Sequence, residues 1–284
     1  MKNIFGILIP ILIAAFFAYT GSEQSLFVGN IPLFASCALI SFLIQWLIFI
    51  PSYIKQTEHF FDLTGSLTYL SIIGFGLYHS SKEPTQIILG ALVAIWALRL
   101  GIFLFRRVQQ AKGDSRFEQK NQFGWFLMVW TIQGLWVFLT SATAMTVISI
   151  KNAAPMNLLS WLGIAIWCFG FMFEVIADYQ KTVFKRDVKN KGRFIQSGLW
   201  KYSRHPNYFG EIILWLGIAL IALPSLHGLS YFSLISPLFV YILLTQISGI
   251  PILERQGLDR WGAEEEYQNY LKTTPSLIPF LGQK

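Results

Sequence analysis

Charge is scarce in this 284-residue sequence, because only 13% of its residues are Asp, Glu, Lys or Arg. An average soluble domain is about one-quarter charged, so this composition argues against an ordinary soluble protein. Cysteine is nearly absent too. The two cysteines, Cys37 and Cys168, lie inside apolar runs without metal-ligand spacing, which predicts neither a disulfide nor a metal site.

The sequence patterns of several common enzyme classes are also missing. There is no Gly-rich phosphate loop, no Ser-His-Asp set and no cluster of metal ligands. No repeat or Gly/Ser/Pro-rich linker divides the chain. The net charge is +7, but the basic residues sit in short loops between apolar segments, so no nucleic-acid partner is predicted. We therefore expect a single integral-membrane domain over residues 1–284.

Long apolar runs are abundant, since 54% of the residues are hydrophobic. A membrane-spanning helix needs about 20 mostly apolar residues, and lipid forces its backbone groups to pair internally. The sequence predicts an all-α polytopic transmembrane bundle of seven to eight segments. The candidate segments are Ile4–Thr20, Ile31–Ile54, Leu63–His79, Gln86–Phe105, Gly124–Ile150, Asn157–Ala177, Tyr208–Pro224 and Leu229–Ile247. The first is interpreted as a retained helix, because no clear signal-peptide cleavage site follows it.

Positive charges predict the orientation of the bundle. With eight spans, Lys2 and the basic residues that follow the second, fourth, sixth and eighth segments fall on one side. These residues are Lys55, Arg106, Arg107, Lys112, Arg116, Lys120, Lys181, Lys185, Arg186, Lys189, Lys191, Arg193, Lys201, Arg204, Arg255, Arg260 and Lys272. The opposite loops, around Glu23, Pro84 and Lys151, carry few positive charges, so the positive-inside rule predicts that both termini are cytoplasmic.

Three ionisable residues lie within or at the ends of apolar segments, where charge is costly. Arg99 is in the fourth segment and either faces a polar cavity or extends its side chain to the interface. Glu174 and Asp178 end the sixth segment at i, i+4 spacing, which places both carboxylates on one helix face. They suit the hydroxyl groups of a ribose, or they pair with neighbouring Lys and Arg side chains.

Two polar residues, Gln56 and Glu58, follow the end of the second segment. The ordinary interpretation is that they cap the helix end and the loop. The functional interpretation places the carboxylate beside a substrate carbonyl, where it acts as a general acid.

The segment from Gly192 to Glu211 combines basic, aromatic and amide side chains immediately before an apolar helix. Pro206 suits a helix start, since its missing N–H is not needed there. The helix N-terminus together with Arg193, Arg204 and His205 predicts an anion site, suited to a phosphate-bearing cofactor or to anionic lipid headgroups.

The stretch from Gly198 to Glu211, GLWKYSRHPNYFGE, resembles the C-terminal signature of the steroid 5α-reductase family, and in particular its bacterial DUF1295 branch. The closing run EYQNYLKTTPSLIPF, from Glu266 to Phe280, is similar to the family's ending. The resemblance extends from about Arg99 to the C-terminus. It implies a membrane reductase of lipid metabolism, in the bacterial inner membrane, whose region 99–284 binds NADPH.

The resemblance also implies roles for individual residues. Arg193 and Asn207 match cofactor-contacting positions, and Asp178 and Glu211 match carboxylates that bind cofactor hydroxyl or amide groups. Tyr208 belongs to the same motif. The further cofactor-binding residues predicted are Arg204, His205 and Glu174, the last standing where steroid-reducing members have Asn.

The substrate side of the family pattern is less complete. Steroid-reducing members carry a Tyr proton donor three residues before the Arg that matches Arg99, but Trp96 stands there and cannot protonate a carbonyl oxygen. Gln56 and Glu58 resemble a catalytic Gln-Glu pair with one residue inserted. Glu58 is therefore the predicted proton donor, and Tyr53 or Tyr69 the alternatives. Trp96, Arg99 and Gln133 are expected to line the lipid substrate.

Two other classes of function remain open. Isoprenylcysteine carboxyl methyltransferases share an Arg-His-Pro-x-Tyr-x-Gly pattern and a helical bundle, so Arg204-His205-Pro206 also fits binding of S-adenosylmethionine. The change to Trp96 is consistent with a non-catalytic membrane scaffold. The interpretation favoured is hydride transfer from NADPH to the β-carbon of an α,β-unsaturated lipid, such as a 3-oxo-Δ4-steroid, an isoprenoid or a fatty lipid.

Overall fold

The computed structural model describes residues 2–110 and 117–281, so two of the cations used to predict orientation, Lys112 and Arg116, lie outside the described residues. The α-helices are α1 (Lys2–Gly21), α2 (Leu33–Ile54), α3 (Phe61–His79), α4 (Pro84–Gln110), α5 (Phe123–Ser149), α6 (Leu158–Arg186), α7 (Pro206–Ala222), α8 (Ile235–Ile242), α9 (Ile250–Trp261) and α10 (Glu265–Thr273). The helix starts at Pro84 and Pro206 follow from the tolerance of proline in a first helical turn.

Short elements connect these helices. Two-residue antiparallel strands, β1 (Phe27–Val28) and β2 (Ile31–Pro32), form a hairpin before α2 that the sequence did not predict. The remaining elements are 3₁₀ turns at Val188–Asn190, Gly198–Lys201, Leu223–Ser225 and Gly228–Leu234, and a π-helical turn at Leu243–Ile247.

Among the described residues, seven helical stretches are long and apolar enough to cross a membrane. They are Asn3–Gly21, Leu33–Ile54, Pro84–Arg106, Phe123–Ser149, Leu158–Arg186, Pro206–Ser225 and Gly228–Trp261. The predicted fold class, a polytopic all-α membrane protein, is confirmed. The third predicted segment is helical, as α3, but it is not one of the seven. Its buried residues include Thr64, Ser66 and Thr68, which lower its apolar character.

The chain divides into two compact units. Unit 1 comprises Met1–Ser160 and Ile221–Ser236. In it α2 packs on α5 and α3, α3 on α4 and α5, and α1 on α5. Its core includes a buried aromatic cluster of Phe49, Phe61, Phe117, Phe126 and Trp130.

Unit 2 comprises Trp161–Leu220 and Pro237–Lys284. It contains most of α6 and α7, together with α9 and α10. An aromatic group anchors the segment before α7, because the Phe194 ring packs on Trp261, Tyr267 and Tyr270 with centroid distances of 5.8, 4.9 and 5.4 Å. These contacts join residues about 70 positions apart, so local sequence patterns do not reveal them.

Candidate functional site

Glycines allow α6 and α7 to approach each other closely in unit 2. A Cβ atom on Gly210 would lie 2.6 Å from the Glu174 backbone N, and one on Gly170 would lie 2.5 Å from the Leu214 backbone N. Two helical turns further along α7, a Cβ on Gly217 would lie 2.6 Å from the Gly163 carbonyl oxygen. The two backbones therefore touch directly, as they do at small-residue contacts between membrane helices.

This close approach brings together polar residues from both helices. The Asn207 side-chain amide donates to the Asp178 carboxylate at 3.2 Å. Asp178 is 5% exposed and Glu174 is 2% exposed, one helical turn apart on the same face of α6. The Asn207 Oδ1 atom has no hydrogen-bond partner within the described residues. Two of the predicted cofactor residues, Asp178 and Asn207, therefore meet one helical turn from Glu174, and the buried Asn207 carbonyl oxygen has no partner among the described residues.

The 3₁₀ turn before α7 is attached to the end of α6. Gly198 adopts a φ of +61°, and its Cα lies so close to Gln180 that a Cβ would meet the Gln180 side chain at 2.5 Å. Gln180 accepts a hydrogen bond from the Leu199 backbone N–H at 2.9 Å. The Trp200 indole donates to the Ala177 carbonyl at 3.0 Å. The turn therefore attaches the chain just before the Arg-His-Pro segment to α6 next to Asp178.

Arg204 is engaged by contacts within unit 2. Its Nη2 donates to the Glu254 carboxylate at 2.7 Å, and its Nη1 donates to the Leu271 carbonyl at 2.7 Å. Only Nε lacks a partner among the described residues. A bidentate phosphate contact from the two terminal nitrogens, as predicted from the sequence, would require these bonds to break. Through these contacts Arg204 links the segment before α7 to α9 and α10.

His205 lies between Glu254 and Tyr208. Its Nε2 is 3.4 Å from the Glu254 carboxylate, and its ring stacks on Tyr208 with a centroid distance of 5.6 Å and an interplanar angle of 9°. Burial lowers the pKa of His205 below its usual range, and the hydrogen bond to Glu254 opposes the shift only in part, while the charges of Lys181 and Arg204 add to it.

This buried histidine predicts a pH dependence of stability. The unfolded chain takes up a proton near the usual histidine pKa of about 6.5, whereas the folded protein does so only at lower pH. The unfolded state then binds more protons, so we expect the melting temperature in detergent to fall as pH decreases below about 6.5. His205→Gln should remove this part of the profile, while the exposed His59→Gln should not. An unchanged profile in His205→Gln would contradict the prediction.

Arg193 and Glu211 complete the predicted cofactor set. The Arg193 side chain is exposed, and its backbone N–H donates to the Asn190 carbonyl. Gly192, just before it, adopts a φ of +83°, which favours glycine and turns the chain sharply. Glu211 is half-buried in the second turn of α7. All eight predicted cofactor residues belong to unit 2.

The residues predicted to act on the substrate belong to unit 1. Gln56 is exposed, has a φ of +51°, and its amide donates to the Tyr53 carbonyl at 2.6 Å. This contact agrees with the interpretation of Gln56 as a cap of the helix end, and its catalytic role stays a prediction. Glu58 is 6% exposed and forms an ion pair with Lys120. The Glu58 carboxylate is therefore engaged by Lys120, and its role as a proton donor stays a prediction.

The three residues predicted to line the substrate take different positions in unit 1. Trp96 is 2% exposed and packs edge-on against Tyr69 at a centroid distance of 5.1 Å. The half-buried Arg99 lies 5.4 Å from the Phe103 ring centroid. Gln133 is 7% exposed, and its amide donates to the Phe61 carbonyl at 3.1 Å.

Sequence reasoning missed the roles of Lys120, Glu254 and Gln180. Each acts on a partner 19 to 62 positions away in the chain, Lys120 on Glu58, Glu254 on Arg204 and Gln180 on Leu199. Glu254 had one sequence signal, because it is an acidic residue directly after the apolar stretch that ends the last span. No group of three metal-ligating side chains occurs among residues 2–110 and 117–281.

The seven long apolar helical stretches among the described residues define a multi-pass α-helical membrane protein. Residues 48–274 match the family described as a protein of unknown function, DUF1295. This match covers most of the chain, so the protein belongs to the DUF1295 family.

Comparison with individual proteins shows more distant similarities. An uncharacterized protein of Schizosaccharomyces pombe is 23% identical over 246 residues, covering 76% of this chain and 70% of that protein. Mouse 3-oxo-5-alpha-steroid 4-dehydrogenase 1 is 28% identical over 119 residues, covering 42% of this chain and 41% of its own length. A probable O-methyltransferase of Ustilaginoidea virens is 30% identical over 94 residues, covering 33% of each chain. No solved structure matches.

Proposed function

We propose that the protein is an NADPH-dependent membrane reductase that reduces a C=C bond of an unsaturated lipid. The observation that carries the proposal is the hydrogen bond of Asn207 to Asp178, one helical turn from Glu174, where α6 and α7 approach closely. The similarity to a 3-oxo-5-alpha-steroid 4-dehydrogenase over 119 residues supports the reaction class.

The residues of unit 2 fit the chemistry of the cofactor. Buried carboxylates, as in Asp178 and Glu174, accept hydrogen bonds from ribose hydroxyl groups. The Asn207 Oδ1, without a partner among the described residues, can accept a hydrogen bond from a carboxamide. The exposed Arg193 guanidinium suits a 2′-phosphate, for which it offers bidentate contacts. Arg204 then supports this site through Glu254 rather than binding phosphate itself.

The residues of unit 1 are proposed to handle the lipid and the proton. NADPH, when bound, supplies the hydride for the β-carbon of the unsaturated lipid. The developing negative charge on the substrate needs a proton or a hydrogen-bond donor. The Lys120–Glu58 pair holds such a proton on its ammonium group, and Lys120 exchanges it with solvent because its side chain is 32% exposed. We therefore assign the proton to the pair, in place of Glu58 alone.

Thermal stability of the purified protein in detergent tests the proposal. A ligand that binds only the folded state raises the melting temperature by mass action. We expect a shift with NADPH and none with S-adenosylmethionine. No shift with either NADPH or S-adenosylmethionine would favour a scaffold that lacks cofactor chemistry.

One observation supports a second candidate, an S-adenosylmethionine-dependent methyltransferase. The Arg204-His205-Pro206 sequence is common to the isoprenylcysteine carboxyl methyltransferases, and the similarity to a probable O-methyltransferase covers one-third of the chain. A thermal shift with S-adenosylmethionine but not with NADPH would select this candidate and reject the reductase.

We further propose that α3 crosses the membrane with the seven helical stretches above, which places both termini on the cytoplasmic side. Its 19 residues span about 28 Å, close to the thickness of the hydrocarbon core. Only with this crossing does Lys55, which follows α2, lie on the same side as the basic residues after α4 and α6.

Single cysteines test this topology in a Cys37→Ala, Cys168→Ala background. Ser81→Cys lies in the α3–α4 loop and His59→Cys in the α2–α3 loop, and both positions are exposed. We expect an impermeant maleimide to label Ser81→Cys in intact cells, and His59→Cys only after permeabilisation. Labelling of both from the same side would show that α3 does not cross.

A further inference from the structure

Several buried side-chain atoms of unit 1 lack a hydrogen-bond partner within the described residues, and three of them belong to residues that contact the first two turns of α3. These three are the Oε1 atoms of Gln45 and Gln133 and the indole Nε1 of Trp130. The three residues are 0%, 7% and 0% exposed, respectively. An unpaired buried polar group costs about 1–3 kcal/mol, and a lipid environment offers no water to replace the missing partner.

All three residues contact the first two turns of α3, Trp130 and Gln133 at Phe61 and Gln45 at Thr68. The Trp130 ring packs on Phe61 at a centroid distance of 5.1 Å, and the Gln133 amide donates to the Phe61 carbonyl. The Gln45 amide donates to the Thr68 hydroxyl at 2.9 Å. The three atoms without partners thus belong to side chains of α2 and α5 that contact one stretch of α3. We call the set of Gln45, Trp130 and Gln133 the polar junction.

The orientations of both glutamine amides are determined by their partners. The Thr68 hydroxyl donates its proton to the Thr64 carbonyl at 2.7 Å, so it can only accept from Gln45. The Phe61 carbonyl can only accept from Gln133. The NH₂ group of each glutamine therefore donates a hydrogen bond to α3, and its carbonyl oxygen is left to accept one from another group. The junction offers two acceptor oxygens and one N–H donor.

We propose that the polar junction binds the hydroxyl group of a membrane lipid. A hydroxyl both donates and accepts, so it can pair with a glutamine oxygen and with the Trp130 N–H, whereas a ketone or an ether can only accept. A charged group is disfavoured, because the three side chains are uncharged and deeply buried. The helices that form the junction include α2 and α5, both apolar enough to cross a membrane, so the bilayer supplies the ligand.

The inference rests on the proposed function in one respect, that this lipid is the substrate whose double bond is reduced. The hydroxyl is then a recognition group distant from the reacting carbons. Binding of the hydroxyl does not depend on the cofactor and can be measured without it.

The test compares farnesol with farnesyl methyl ether by thermal stability of the detergent-purified protein. We expect farnesol to stabilise the wild type and the ether to do so only weakly. Trp130→Phe removes a single N–H donor and should weaken farnesol binding about tenfold, the effect of one neutral hydrogen bond. Gln45→Leu should weaken it too, without lowering the stability of the unliganded protein.

The matched control is Trp167→Phe. The Trp167 indole N–H also lacks a partner among the described residues and the residue is 4% exposed, but it belongs to unit 2. Farnesol binding should be unchanged in this variant. Equal stabilisation by the alcohol and the ether, or equal farnesol affinity in Trp130→Phe and Trp167→Phe, would overturn the proposal.

An ordered water in the junction predicts a different pattern. Trp130→Phe would then destabilise the unliganded protein while farnesol had no effect on any variant, and this result would also overturn the proposal. The cofactor experiment distinguishes failure of the proposed function. A thermal shift with NADPH but none with farnesol rejects the lipid site and keeps the proposed reductase. A shift with farnesol but none with NADPH keeps the lipid site and rejects the reductase.

Discussion

Replacing Gly210 with alanine is expected to destabilise the protein by about 3 kcal/mol, the upper part of the usual range for overpacking. The added Cβ would lie 2.6 Å from both the Glu174 backbone N and the Gly170 carbonyl oxygen. These are backbone atoms of a helix, so they cannot move aside as a flexible side chain would. The helices α6 and α7 must separate, and the Asp178–Asn207 contact at their ends should be lost. The midpoint of thermal unfolding in detergent measures the effect.

Gly74→Ala is the control for this prediction. Gly74 is also inside a helix, α3, but a Cβ there would meet nothing within 4 Å. Alanine is favoured over glycine in a helix by about 1 kcal/mol, so this variant should be as stable as the wild type or more stable. If Gly210→Ala matched Gly74→Ala, the α6–α7 backbone contact would not be a determinant of stability.

Replacing Arg193 with alanine is expected to weaken NADPH binding by about 10- to 100-fold. Hydrogen bonds to charged groups contribute about 1.5–3 kcal/mol, and each 1.4 kcal/mol corresponds to a tenfold change in affinity. Because Arg193 is proposed to contact the 2′-phosphate, the binding of NADH, which lacks that group, should change little. Titration calorimetry or fluorescence of the reduced nicotinamide measures both affinities.

Arg186→Ala provides the matched control. Arg186 is an exposed arginine in the same basic region, at the end of α6. Its loss reduces the general positive potential by the same charge, so it separates a specific contact from long-range attraction. If Arg193→Ala and Arg186→Ala weakened NADPH binding equally, Arg193 would contribute only non-specific attraction. If Arg193→Ala weakened NADPH and NADH binding equally, Arg193 would not contact the 2′-phosphate.

Several elements were predictable because local pattern and burial agree. The spans with continuous apolar residues appear as helices at nearly the predicted positions, for example Ile4–Thr20 within α1 and Gly124–Ile150 along α5. The segment Leu63–His79 was predicted as a helix of the same kind, but the buried Thr64, Ser66 and Thr68 distinguish it. Alternation of polar and apolar residues on one helix does not reveal whether the polar face meets other helices or water.

The candidate site was predictable in part. The i, i+4 spacing of Glu174 and Asp178 places them on one face of α6 whatever the remainder of the fold. The contact of Asp178 with Asn207 depended on the glycines of α6 and α7, whose mutual contact no single segment shows. Arg204 illustrates the opposite outcome, since its position in a basic motif predicted a phosphate contact while Glu254 and the Leu271 carbonyl occupy its terminal nitrogens.

The sequence by itself determined that the chain is an α-helical membrane protein, because apolar residues in runs of about 20 must form helices in lipid. It also determined the family, through motifs that are contiguous in the chain. Only the tertiary structure decided the partners of the charged and polar groups: Lys120 for Glu58, Glu254 for Arg204, and the turns of α3 for Gln45 and Gln133. The physical reason is that hydrophobic burial depends on composition over a segment, whereas a hydrogen bond needs two atoms within about 3 Å, which only packing supplies.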